Sequence, residues 1–458
     1  MNSAQRSLSP LSYSPSPFRG EGRGEGVPPR PSHRHFCKRR PLTLALSPDG
    51  RGNHAGRAIA AIAGIVALAA IAATPAFAAG KYDPGASDTE IKIGNTFPYS
   101  GPASGTSAIA RAMAAYFTRL NEQGGVNGRK VSFTSLDDGY SPPKTMEQTR
   151  RLVEQDQVLL MYGALGTPTN LAVRPYLNSR KVPQLFITTG STSLIDPKKF
   201  PYTMGFQPSY SVEATIFAAY LLAEHPDAKI GVLYQGDDFG TDHLDPFLAA
   251  LGDKAAKMVV GKVSYQATDA TLTSQIISLK SAGADTLYLI TQGRAAPQAV
   301  TAVRAQTGWD PLVMIPSVAT SKAVIGPAGD DNVKGVVSVN FEKDPTDPSW
   351  ADDKAAQDYL AFLKKYAPAA DYESDAASPL SYDSVVLLTE VLKRCGDDLT
   401  RENVMKQATS LHDVALPLLL PGATASTAPD DYFPLKVEQL ERYDGKRWVL
   451  FGKPMKGG

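Results

Sequence analysis

Between Ile91 and Asp138 the chain changes its apolar period twice, and this limits the possible folds sharply. Ile91, Ile93 and Phe97 form a short β-type run that stops at Pro98. A small, hydroxyl-rich loop follows, from Tyr99 to Ser107. Ile109, Met113, Tyr116, Phe117 and Leu120 then recur at helical spacing on one face. Gly124 and Gly125 end that helix, and Lys130–Leu136 reads as a second strand before Asp137 and Asp138. Strand, crossover helix and strand make a βαβ unit. Its hydroxyl loop stands at the carboxyl end of the first strand, where open α/β sheets bind ligands.

The alternation continues. Helix is expected over 142–155, strand over 158–162, helix from the loop 163–170 to about 178, strand over 182–187 and helix over 209–223. A second series has strands at 229–234, 258–263, 286–290 and 312–315, with helices ending at 251 and around 272–281 and 295–306. Each series predicts a parallel sheet covered on both faces, so the class is α/β with two lobes. Later come a strand near 336–339, helices near 352–366, 381–394 and 401–410, and a hairpin across Asp444-Gly445.

Several segments together resemble the branched-chain amino acid (Leu/Ile/Val) family of periplasmic substrate-binding proteins. They are Ile91-Lys-Ile-Gly94, Ser100-Gly-Pro102, Asn121-Glu-Gln-Gly-Gly-Val-Asn-Gly-Arg-Lys130 and Asp137-Asp138. The resemblance runs to about Phe451. It implies a type I periplasmic binding fold: two doubly wound lobes with parallel-rich sheets, joined by a three-strand hinge. It divides the chain into a first lobe of 88–207 plus 341–433 and a second of 208–340 plus 434–458. It also implies a receptor of an ABC importer, with permease subunits at the inner membrane as partners and no cofactor.

Residues 1–56 are rich in Pro, Gly, Ser and Arg without apolar periodicity, and read as a disordered or non-native leader. Residues 57–79 read as a signal peptide: Arg57, a sixteen-residue apolar core over 58–73 and a small-x-small site ending at Ala78. The core is short for a membrane span, which needs roughly 20 residues. The alternative is an uncleaved anchor. Cleavage after Ala78 or Ala79 would deliver the chain to the periplasm.

Charge is informative only once the leader is removed. Residues 1–78 hold 10 Lys+Arg and 3 Asp+Glu; taking these from 47 and 46 leaves 37 against 43, a net of −6. Such a body gives no reason to expect nucleic-acid binding. A monomer is expected. Cys37 lies in the leader, so Cys395 is the single mature thiol, expected to be buried in a helix.

No catalytic constellation stands out. There is no G-x-S-x-G elbow, no P-loop and, after the leader, no G-x-G-x-x-G. His225, His243 and His412 lack metal-ligand spacing, and the pairs Asp237-Asp238, Asp330-Asp331 and Asp397-Asp398 read as turns or caps. The expected activity is binding without chemistry. The rivals are a ligand-sensing regulator of the same fold, for example amide-responsive, and an α/β hydrolase.

Recognition chemistry is present. Hydroxyls and free backbone N–H groups at helix starts bind a carboxylate. Three loops offer them: Ser104, Gly105 and Thr106; Thr167 and Thr169, beside Leu165; and Thr189, Gly190 and Ser191. Helix capping and turn formation are the alternative use of the same residues. The resemblance places carboxylate-binding loops at these three stretches, an aromatic wall at Phe239, and further ligand contacts at Gln292 and Ser317. Amino-acid binders of the family carry an acid where this chain reads Ile315-Pro-Ser-Val318. The expected ligand is a small amino acid or carboxylate, and the missing acid favours an aromatic or aliphatic acid without an α-ammonium, or another polar solute, because a buried ammonium needs charge or several acceptors.

Overall fold

The computed structural model describes residues 80–367 and 379–456; the expected leader and signal segment lie outside them. After β1 (Lys81–Tyr82) comes a sheet of β2 (Glu90–Phe97), β3 (Lys130–Asp137), β4 (Leu160–Tyr162), β5 (Gln184–Ile187) and β6 (Thr203–Gly205). Its order is β3-β2-β4-β5-β6, with every neighbouring pair parallel. β2 lies inside the sheet, and its Ile91, Ile93 and Phe97 are fully buried. The helix Ala108–Glu122 covers it with Met113, Phe117 and Leu120. Gly124 (φ +98°) donates to Asn121 O and Gly125 (φ +74°) donates to Leu120 O, a Schellman stop that needs the left-handed backbone glycine adopts. The helix expected to reach 155 is α-helical over Pro142–Arg150 and widens into a π turn over Arg151–Gln155.

The second sheet holds β7 (Ile230–Gln235), β8 (Val259–Tyr265), β9 (Thr286–Ile290), β10 (Leu312–Met314) and β11 (Val337–Asn340). After β12 (Asp398–Leu399), which pairs with β1, it is completed by β13 (Val437–Tyr443), β14 (Trp448–Leu450) and β15 (Met455–Lys456). The order is β14-β13-β11-β10-β9-β7-β8, with β15 also on β13. β7 to β11 pair in parallel, and β13 joins β11 antiparallel. β13 and β14 form the expected hairpin, with Tyr443 opposite Trp448. Helices Tyr210–Glu224 and Asp238–Leu251 fill one face with Phe217, Leu221, Leu244 and Phe247. Thr273–Ser281 and Ala295–Arg304 fill the other with Ile276, Leu279, Val300 and Val303.

Late segments serve both sheets. Val385, Leu388, Val391 and Leu392 of helix Pro379–Cys395 pack into the first core, where Cys395 is also buried. Phe341 and Leu435 belong to the first core, whereas Val339 and Leu440 belong to the second. The chain therefore passes between the two at 340–341 and 436–439, besides its first passage after Gly205.

Candidate functional site

The loops that leave β2, β4 and β5 lie at one edge of the first sheet. An isolated parallel bridge between Leu165 and Thr188 holds the second and third together. Thr167 and Thr189 are each 1% exposed and share an Oγ1–Oγ1 hydrogen bond of 2.8 Å. Thr189 donates onward to the Tyr210 phenol oxygen at 3.2 Å, so the proton between the threonines comes from Thr167. The backbone N–H of Ser191 donates to Thr189 Oγ1 at 3.3 Å.

Tyr210 and Tyr140 reach this edge because two glycines leave room. A Cβ on Gly190 would stand 2.5 Å from Pro208 O and 2.7 Å from Tyr210 Cδ1. One on Gly166, which has φ +102°, would stand 2.6 Å from Tyr140 Cε2. Burial pushes both phenols well above their ordinary value, so both stay protonated.

The other hydroxyls face inward. Thr106 donates to Ala103 O at 2.7 Å, and Thr169 donates to Leu165 O at 2.5 Å with Gly166 O at 3.1 Å. Each closes its own turn. Ser104 is half-buried and Gly105 exposed; a Cβ on Gly105 would lie 3.4 Å from Ala323 O of the second lobe.

The second lobe meets these loops at several points. Ser191 Oγ donates to Asp242, as does Ser193 Oγ at 2.9 Å. Gln292 Nε2 donates to the Tyr140 phenol oxygen at 2.5 Å, and Arg294 N donates to Pro102 O at 3.1 Å. Phe239 lies edge-on to Tyr210, with centroids 5.5 Å apart, one residue after Asp237 and Asp238 start its helix. Asp237 accepts from Phe239 N, which fits the cap expected of it.

Ser317 is engaged from within its own lobe. Its backbone N–H and Oγ both donate to Glu213 Oε2, at 3.2 and 2.7 Å. Glu213 lies in the first turn of helix Tyr210–Glu224 and is 1% exposed. The acid missing from 315–318 is thus present beside Ser317, carried by another element. Burial raises the Glu213 carboxyl to about 7 against the lowering effect of the two Ser317 bonds.

His243 stacks on Tyr210 at 4.0 Å and bonds Tyr288 OH through Nδ1 at 2.9 Å. Burial lowers it to about 3, so the imidazole is neutral, and its 3.7 Å approach to Glu213 Oε1 is no ion pair at neutral pH. Glu213 Oε1 and His243 Nε2 are buried without a hydrogen-bond partner.

Sequence reading passed over Tyr140, Tyr210, Glu213 and Asp242, and treated His243 as ordinary. One signal was available. Tyr210, Glu213, Phe217 and Tyr220 recur at helical spacing, so an acid interrupts an apolar stripe. The assembled site sets the Thr167–Thr189 hydroxyl pair of the first lobe against rings and carboxyl groups of the second.

A family model described as periplasmic binding protein matches residues 90–433. Leu/Ile/Val-binding protein homolog 7 of Brucella abortus is 26% identical over 210 residues, 43% of this chain and 51% of that protein. The chain thus matches about half the length of this curated relative. A solved structure of a branched-chain amino acid ABC transporter from Thermus thermophilus with bound valine is 15% identical, with a TM-score of 0.72, over 81% of this chain and 97% of that one. A solute binding protein of an ABC transporter from Rhodopseudomonas palustris BisB5, in complex with 3,4-dihydroxy benzoic acid, is 18% identical, with a TM-score of 0.67, over 80% and 97%. At these identities the two structures speak for the fold, and it is the type I periplasmic binding fold. With three quarters of its length inside the family model, the chain belongs to the periplasmic binding protein family.

Proposed function

We propose that this chain is an exported solute receptor of an ABC importer, and that it captures a small carboxylate between its lobes. The observation that carries this is the hydroxyl relay from Thr167 through Thr189 to Tyr210, which links donor loops of one lobe to the other. A carboxylate arriving there would replace neutral hydroxyl–hydroxyl bonds with charge-assisted ones, which are about twice as strong. The site is built from the three loops, at Ser104, Gly105 and Thr106, at Leu165, Thr167 and Thr169, and at Thr189, Gly190 and Ser191, with the Thr106 and Thr169 hydroxyls holding their turns. Phe239 and Gln292 stand against them through Tyr210 and Tyr140, and Ser317 joins the site through Glu213. Of the two solved relatives, one holds valine and the other a benzoic acid, and both ligands carry a carboxylate.

The signal segment supplies export, and a membrane permease is the partner of the ligand-loaded, closed form. Closure of two lobes about a hinge is the motion expected of such a receptor. The test uses the full chain expressed with its leader. N-terminal sequencing of the periplasmic fraction should begin at Ala79 or Gly80. A thermal-shift screen of that material against amino acids, aromatic acids, short fatty acids and amides should give shifts confined to carboxylates. Intact leader in the cytosol, or shifts with amides alone, would sink the proposal.

A further inference from the structure

A cavity of about 240 Å³ lies beside the passages between the lobes, and none of its lining residues belongs to the donor loops. Glu342, Asp347 and Trp350 come to it just after the passage at 340–341. Glu441 on β13, Arg447 and Trp448 come to it after the passage at 436–439. We propose that this cavity is a second binding site, and that it takes a small organic ammonium ion.

With Asp344, the lining holds four acids and one base. The base is already used, because Arg447 Nη1 donates to Asp347 Oδ1 at 2.6 Å. Asp344 closes its own turn, accepting from Thr346 N and Oγ1 at 2.8 and 2.7 Å. Glu342 and Glu441 are different. They are 6% and 2% exposed, and Oε1 of each has no hydrogen-bond partner. Buried polar atoms are normally satisfied, so two bare acceptors lining one cavity point to a donor from outside. Lys343 does not serve, since its Nζ donates to Asp353 at 2.8 Å and to Pro417 O at 3.2 Å. Burial raises both glutamates well above their ordinary value, and the charges of Asp383 on Glu342 and of Asp344 and Glu213 on Glu441 add to it. A cation in the cavity would offset that cost.

The lining also sets the kind of cation. Among the described residues, no three His, Cys, Asp or Glu side chains are grouped so as to hold a metal ion. Two indoles, Trp350 and Trp448, line the cavity instead. Indole faces attract cations and give alkyl chains an apolar surface. An alkylammonium suits both features: its N–H groups would reach the carboxyls, and its carbon chain would rest on the rings.

The probe is 1,4-diaminobutane, titrated calorimetrically into the full chain with no carboxylate present. 1,4-Butanediol and magnesium chloride are the controls. The diamine should bind, and neither control should. Glu441→Gln should weaken the diamine by at least about tenfold, the scale of a charge-assisted hydrogen bond. Trp350→Leu should weaken it by about two- to fivefold, the scale of a cation–π contact. Melting curves show whether each variant folds. Trp350 and Trp448 are two of the 3 tryptophans, so the diamine should also change the indole emission of the unaltered protein. If the diol or magnesium binds as well as the diamine, the proposal is overturned, whatever the variants do. Equal diamine binding by the parent and a folded Glu441→Gln overturns it too; if that variant does not fold, equal binding by Trp350→Leu does so. A diamine that neither binds nor changes the emission ends the proposal and leaves the carboxylate reading standing.

Discussion

The first lobe and the second lobe approach the cleft with opposite chemistry. On the first, Thr167 and Thr189 bond each other, and Thr106 and Thr169 bond their own turns. Its donors are neutral, and each is satisfied within the protein. On the second, Glu213 and His243 keep bare polar atoms, and Asp242 reaches across to Ser191 and Ser193. Hydroxyl loops can accept any carboxylate. In the proposed site, selection between carboxylates would fall to the second lobe, where Glu213 and His243 keep buried polar atoms without partners.

The largest expected effect comes from destroying the seat of Tyr210. In Gly190→Val the new Cβ would overlap Pro208 O and Tyr210 Cδ1. Either Tyr210 leaves Thr189 or the loop moves. Such overpacking costs about 1–3 kcal/mol of stability. Because Tyr210 joins both lobes, carboxylate affinity should fall by more than stability does. Melting curves and titration on the same sample check this.

A smaller effect separates relay hydroxyls from turn hydroxyls. Thr189→Ala should weaken a bound carboxylate by about 1–3 kcal/mol, the cost of a lost buried hydrogen-bond partner. Thr169→Ala should leave affinity within about twofold and lower stability by about 1 kcal/mol, since that hydroxyl only closes its turn. Equal losses of affinity in both variants would erase the distinction.

The last effect touches stability and has the least bearing on affinity: a slope of stability against pH. Burial lifts Glu213 from 4.5 to about 7, and in the first lobe it lifts Asp383 from 3.8 to about 8. A raised carboxyl favours folding while protonated, so this contribution is complete below the ordinary value and is lost as pH climbs to the raised one. Melting temperature should therefore drop between about pH 4.5 and pH 7 on account of Glu213, and Glu213→Gln should flatten that stretch. Asp383→Asn should flatten the stretch up to about pH 8. Asp383 accepts from Leu418 N and not from the donor loops, so this variant should leave carboxylate affinity alone.

Much of the fold was legible because its signals are local. Period, turn glycines and apolar runs placed most strands to within a few residues. β6 went unseen because Thr203–Gly205 is only three residues long, too short for a period. The three loops were legible as donors, but capping and recognition use the same residues. The second lobe's half of the site was hidden for another reason. Glu213 lies 104 residues from the Ser317 it bonds, and Asp242 lies 51 from Ser191. No local pattern reports such pairings; helix Tyr210–Glu224 brings Glu213 to Ser317, and helix Asp238–Leu251 brings Asp242 to Ser191.

The passages between lobes also set an order of events. All five strands of the first sheet lie between residues 90 and 205, so that sheet can form while most of the chain is still arriving. Its cover from helix Pro379–Cys395 comes much later. The second sheet cannot close until β13 pairs with β11, roughly a hundred residues downstream. Pairings this distant in sequence are slow, because loop-closure entropy is spent before they form. A half-emerged chain would present the β11 edge bare, a template for wrong partners. The chain thus gains from being kept unfolded until its last strand is available, as a protein threaded through a membrane is.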